Sequence, residues 1–188
     1  MPRERPVDDV RAGGGTFPLV CWQRGDEVVW GIEAIMLSAG TNVEWLRDDL
    51  GIIDDTAQSD ELAASVDDAD GVVFVPAPLG LGTPHWDYGA RSGLFGLTRG
   101  STKAHVARAV LEGVAQRGAE LLAAAEADSG ASIDALRVDG GMSQNCTFIQ
   151  ALANAIQRPV EVSPVLEATA RGGGLAAGVA LGWFESVP

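Results

Sequence analysis

The residues best placed to do chemistry in this 188-residue chain fall in two stretches. The first is Leu136-Arg137-Val138-Asp139-Gly140-Gly141-Met142-Ser143-Gln144-Asn145. Leu136 and Val138 alternate with polar Arg137, which is a strand pattern. Phe148, Ile149, Leu152, Ala153 and Ile156 then recur on one helical face. A strand that stops at a glycine pair and turns at once into a helix leaves bare main chain at its C-terminal end, where ligands of open α/β sheets bind. Without Cβ atoms, Gly140 and Gly141 let a flat or anionic group reach the backbone. The turn reads either as a nucleotide contact or as an ordinary strand-to-helix loop. The second stretch, Pro76 to Arg91, is a long loop rich in proline and glycine, and long loops inside compact domains are often functional. It carries His85, Trp86, Asp87 and Arg91, which define neither a triad nor a metal site. An Asp87–Arg91 charge pair that ties the loop down is the structural alternative.

The elements that must position these groups follow from local pattern. Phe17 to Trp22 and Glu27 to Ile32 are strand-like runs around Gln23-Arg24-Gly25-Asp26, which predicts an antiparallel hairpin. Ile35 to Leu50 reads as a helix. Met36, Val43, Leu46 and Leu50 lie on its apolar face, with Asn42, Arg47, Asp48 and Asp49 mainly on the other. Gly40 within that run marks either a helix start or a close approach. Asp48 to Asp70 is acidic with no basic residue. A short helix over 60–69 with a solvated acidic face is expected there. Val72 to Val75 reads as a strand buried on both sides, and 93–97 as a further short strand. The longest helix opens at Ser101, its wide apolar band including Val106, Val110, Val114 and Leu121. Glu112 beside that band is expected to be a hydrogen-bonded structural group. Val160 and Val162 form another short strand, and 169–183 a helix of small residues able to approach another backbone.

Composition narrows the function classes. The chain is 46% hydrophobic and 21% charged, as globular proteins are. A net charge of -13 argues against nucleic acid and anionic membranes as partners. Cys21 and Cys146 are far apart and read as small buried hydrophobes. His85 and His105 make no metal-ligand pattern, and no metal site is expected from the residues. No apolar run is long enough to span a membrane, and no apolar signal core follows Pro2-Arg3-Glu4-Arg5-Pro6, so the expected location is the cytoplasm. Residues 1–15 read as a flexible lead-in and 16–188 as one domain.

Taken together, these stretches resemble a known family. Ser92-Gly93-Leu94-Phe95-Gly96-Leu97, then His105-Val106, then Ala109-Val110-Leu111-Glu112 follow a family motif in residue type and spacing. Val75-Pro76-Ala77 with Leu79-Gly80-Leu81-Gly82-Thr83-Pro84-His85-Trp86-Asp87, the run Ser38 to Asp48, and Leu136 to Gly141 do so in the same order. The chain resembles the C-terminal, nucleotide-binding domain of the FGGY carbohydrate kinases, with the glycerol kinase branch nearest. The resemblance implies an α/β fold of ribonuclease H-like type, as in actin and hexokinase, with a mixed sheet flanked by helices. It implies ATP or ADP with Mg²⁺ as cofactors, and transfer of the ATP γ-phosphoryl group to a polyol.

Residue by residue, the resemblance implies that Gly141 lies against the adenosine, that its neighbour Gly140 is also nucleotide-binding, and that Asn145 contacts the adenine edge. Gly40 and Glu44 match the opposite wall. Glu44 stands where glycerol kinases usually carry Gln, and Ala34 departs from the Gly common after Glu33. No catalytic residue is expected in this chain. The base, the acceptor-binding residues and the first phosphate turn match an N-terminal half that lies upstream of it. The implied partners are an adenine nucleotide and, through that half, a small polyol or sugar. A homo-oligomer or a separately encoded N-terminal half are the protein partners allowed. An alternative acceptor of xylulose or gluconate type, and a non-catalytic interaction module, are the rival readings.

Overall fold

The computed structural model describes residues 13–186. Most of the expected lead-in, residues 1–12, lies outside the described residues. Gly13, Gly14 and Gly15 form a turn whose amides are held by a distant side chain. Asp128 accepts from Gly14 N at 2.5 Å, Thr16 N at 3.0 Å and Thr16 Oγ1 at 2.6 Å. Two strands follow, β1 (Phe17–Arg24) and β2 (Glu27–Glu33), paired antiparallel around Gly25 as the hairpin pattern predicts.

The next helix is shorter than its apolar spacing predicts. Helix α1 is Thr41–Asp48, and Gly40 is its N-cap. The residues before it are drawn away from helix by tertiary bonds. Ile35 exchanges hydrogen bonds with Thr83: its N donates to Thr83 Oγ1, and its carbonyl accepts from Thr83 N, both at 3.0 Å. Asn42, expected on the solvated face, is buried. Its amide donates to the Ser38 and Ala39 carbonyls at 3.0 Å and so braces the turn into α1.

Helix α2 (Gln58–Ala64) and the strands β3 (Val73–Val75) and β4 (Gly93–Phe95) complete the first half. Strand β3 is not buried on both sides. Only Phe74 is, because β3 and β4 form a two-stranded antiparallel ladder with α3 against one face. Val73 and Phe95, directly opposite each other, stand exposed on the other face.

Helix α3 (Lys103–Ser129) is the axis of the molecule. Thr102 caps it, and His105 Nδ1 accepts from Thr102 N at 3.0 Å, so this histidine closes a helix end. Val110, Leu111 and Val114 of α3 are fully buried, against α2, β3 and the helix α4 (Cys146–Ile156). Gly113 makes the β3 packing possible. A Cβ there would lie 2.3 Å from the Phe74 carbonyl oxygen. Beyond α3, β5 (Leu136–Val138) pairs in parallel with β6 (Val160–Val162), with α4 as the crossover, and α5 (Ala168–Ala180) follows. The mixed α/β architecture is thus built of three two-stranded ladders and five helices among the described residues. No helix among them is long and apolar enough to cross a membrane. The two cysteines are exposed, contrary to expectation: Cys21 sits at a register break in β1, and Cys146 opens α4.

Candidate functional site

Strand β5 delivers the chain through Asp139 to Gly140, which has φ 83° and ψ 179°. That left-handed turn reverses the chain into a single 3₁₀ turn, Gly141–Gln144. Gly140 N donates to the Leu166 carbonyl at 3.0 Å. Gly140's own carbonyl accepts from Ser143 N at 3.0 Å and Ser143 Oγ at 2.7 Å. The turn is therefore rigid, yet its outer side is empty: a Cβ built on Gly140 or Gly141 meets no atom within 4 Å. The helix expected to start directly after the glycines begins one 3₁₀ turn later.

Gly40 lies across from this turn. A Cβ on Gly40 would lie 3.7 Å from Met142 Cγ and 3.8 Å from its Sδ, so the two glycine positions flank one methionine. Glu44 is one helical turn beyond Gly40, on the same side of α1, and exposed. Ser38 Oγ and Asn42 Oδ1, beside Gly40, are buried without a hydrogen-bond partner. The structure thus brings Gly40, the N-cap of α1, up to the β5–α4 turn that carries Gly140 and Gly141, with Met142 between them; Glu44 follows on α1, and Asn145 closes the turn.

Asn145 is more committed than the sequence predicts. It is the N-cap of α4, its Oδ1 accepting from Phe148 N at 2.8 Å, and its Nδ2 donates to Ser59 Oγ of α2 at 3.0 Å. The next residue of α2, Asp60, takes the amides of Cys146 at 3.1 Å and Thr147 at 2.8 Å. Partial burial pushes the Asp60 carboxyl up. The hydrogen bonds from Thr147 and Cys146 outweigh it, so Asp60 sits below the ordinary aspartate value. The acidic segment is therefore not only a solvated face: its helix, 58–64 rather than 60–69, braces the site. Only the Ser-Asp pair at the head of a short helix hinted at this, and no periodicity reveals a partner 86 residues away.

The second reactive-looking stretch does not join this site. Asp87 Oδ1 accepts from Gly89 N at 2.8 Å and Ala90 N at 3.1 Å. Arg91 Nη1 donates to the Tyr88 and Ala90 carbonyls, so each side chain ties the loop through main chain rather than through a mutual pair. His85 faces Glu120 at 3.5 Å, and Trp86 Nε1 donates to the Gly15 carbonyl at 2.7 Å. Buried Arg117 holds the Thr83 carbonyl at 2.6 Å and pairs with Glu120. Glu112 accepts from Arg108 Nε at 2.6 Å, one helical turn away, as a structural glutamate would. Among the described residues no cluster of three or more His, Cys, Asp or Glu side chains could hold a metal. Hollows of about 380 and 390 Å³ lie elsewhere, one at Ser65–Asp70 with His105, the other between β3 and α3.

Comparison with known proteins adds to this geometry. The model of the C-terminal domain of the FGGY family of carbohydrate kinases matches residues 4–181. The glycerol kinase of Burkholderia multivorans is 46% identical over 168 residues, 89% of this chain and 34% of that protein. That of Rhodopirellula baltica is 48% identical over 167 residues, 89% of this chain and 31% of that protein. The crystal structure of Plasmodium falciparum glycerol kinase with ADP superposes with a TM-score of 0.81 at 30% identity, covering 97% of this chain and 37% of that one. The chain spans about a third of the length of these relatives.

Proposed function

Because the chain belongs to the FGGY family of carbohydrate kinases, as its C-terminal domain, we propose that it is the nucleotide-holding half of a glycerol kinase-like enzyme. In this reading, residues 16–188 are the domain and ATP or ADP is its ligand. The parent reaction moves the ATP γ-phosphoryl group to a polyol, glycerol above all. The observation that carries the reading is the outer side of the Gly140–Gly141 turn: held by the Gly140 hydrogen bonds, open at both Cβ positions, and set across Met142 from Gly40. A planar purine and its ribose need such a ledge, with close main chain on one side and one amide at the edge. Gly141 lies under the adenosine, Asn145 reads the base edge, and Glu44 stands at the opposite rim.

Phosphoryl transfer depends on positioning and on charge stabilisation between groups that surround the phosphates. What this chain contributes is the first of these: a fixed seat for the adenosine end, which sets where the γ-phosphate projects. Among the described residues no carboxylate cluster would hold Mg²⁺; bound through the nucleotide phosphates, the ion would neutralise their charge. The base that takes the acceptor proton belongs, in this reading, to an N-terminal half outside the chain. Calorimetric titration with ADP tests the reading. Heat with saturation at millimolar nucleotide or below is expected, and silence there sinks it. Glycerol phosphorylation by the purified chain alone would show that the base has been misplaced.

A further inference from the structure

We infer that Ser59 is a positioning residue that sets the base preference of the site, by locking the side-chain amide of Asn145 in one orientation. The inference rests on the nucleotide reading above, and the test below separates the two. A hydroxyl has a single hydrogen to give. Ser59 gives its own to the Thr56 carbonyl at 2.6 Å. Toward Asn145, 3.0 Å away, Ser59 Oγ can then only accept, so the atom facing it must be Nδ2. At the other end of the same amide stands Phe148 N, at 2.8 Å, which can only donate, so the atom facing it must be Oδ1. The two ends demand the same orientation. Turning the amide over would lose both bonds and set donor against donor at Phe148.

An amide locked this way keeps one N–H and one carbonyl lone pair for a ligand, in a fixed order. Adenine offers an amino donor at N6 beside an acceptor at N7, the pair an asparagine amide reads with two hydrogen bonds. Guanine offers acceptors at both O6 and N7. A fixed amide fits the first and sets carbonyl against carbonyl in the second. A mobile amide discriminates less.

The same corner also excludes phosphate. The first three amides of α4, on Cys146, Thr147 and Phe148, are already bound by Asp60 and Asn145. This helix end is therefore closed to anions. The group left to meet a ligand is the remaining half of the Asn145 amide, which suits a base and not a phosphate.

Binding of ADP and of GDP to the wild-type chain, Ser59→Ala and Ser59→Thr, measured by calorimetry and accompanied by thermal melts, tests this. The wild type is expected to prefer ADP. Ser59→Ala should narrow the ADP-to-GDP ratio about fivefold, the scale of one hydrogen bond. Ser59→Thr, which keeps the hydroxyl, should restore it. A Ser59→Ala protein that melts lower but keeps the wild-type ratio overturns the inference, since Ser59 would then be a structural group only. No ADP binding by the wild type overturns the nucleotide reading itself, and the inference with it.

Discussion

Gly13–Gly15 and Gly140–Gly141 share a composition, the one leading into β1 and the other leaving β5, and differ in what surrounds them. A Cβ at Gly14 would lie 2.8 Å from the Ala124 carbonyl. At Gly15 it would lie 2.9 Å from the Pro84 carbonyl and 3.0 Å from Trp86 Nε1, on a backbone with φ 81°. The first turn is glycine because the protein itself occupies the space. Gly140 is glycine because its φ is positive. Gly141 has neither reason: its φ is not left-handed and its Cβ position is open. That openness leaves the main chain at Gly141 accessible, as the proposed nucleotide seat requires. Composition cannot separate the two turns, and packing does.

The largest effect that sharpens this contrast is expected at Gly15→Ala. Strain from a positive φ and overlap with main chain add, for about 3 kcal/mol of lost stability in urea unfolding. Asp128→Ala is next, at about 2 kcal/mol, since it strands the Gly14 and Thr16 amides that the carboxylate holds. This loss depends on pH. Partial burial pushes the Asp128 carboxyl up, but its bonds from Thr16 and Gly14 outweigh that and leave it below the ordinary aspartate value. A group depressed in the fold stabilises fully above its unfolded value, about 4. That contribution fades as pH falls from there through the lowered folded value. Acid unfolding of the wild type should therefore be steeper in this window than that of Asp128→Ala. Equal slopes would remove Asp128 from the latch.

Gly141→Ala should melt within about 0.5 kcal/mol of wild type while its ADP affinity drops about tenfold or more. A large loss of stability there would break the comparison, because Gly141 would then be packed like Gly15. The smallest effect belongs to Gly173→Ala. Gly173 lies inside α5, exposed and with nothing near its Cβ position, so alanine should raise stability by about 0.5 kcal/mol. The small residues of α5 were expected to admit another backbone, yet at Gly172–Gly174 no neighbour stands within reach.

What was legible in the sequence was local. The β1–β2 hairpin, the long α3 band and the β5 strand running into Gly140 each follow from spacing within a few residues. Length failed where a tertiary bond intervened. The apolar rhythm runs on through Ile35 and Met36, but Thr83 claims Ile35, and α1 begins only at Thr41. Burial of Val72–Val75 failed because a short apolar run looks alike whether one face or both are covered. The convergence of Gly40 with the Gly140–Gly141 turn came through family resemblance, not periodicity. The groups that hold the two glycine turns were invisible for a plain reason: Asn145 meets Ser59 across 86 residues, and Gly14 meets Asp128 across 114.

Helix α3 carries one more consequence, in its register. Its 27 residues make a rod of about 40 Å. Along that rod Arg108 touches the Ala63 carbonyl at the end of α2, Arg117 holds Thr83, Glu126 pairs with Arg158, and Asp128 holds the Gly14–Thr16 turn. Each of these grips a different part of the chain, and each works only at one angle around the helix axis. A single inserted residue between Arg117 and Glu126 would turn everything beyond it by about 100° and advance it about 1.5 Å. Glu126 and Asp128 would both swing off their partners at once. Exposed positions on this helix, such as Gln116 and Ala123, can change side chain. Its length between Arg117 and Asp128 cannot change, and a one-residue insertion there should do more harm than substitution of either anchor.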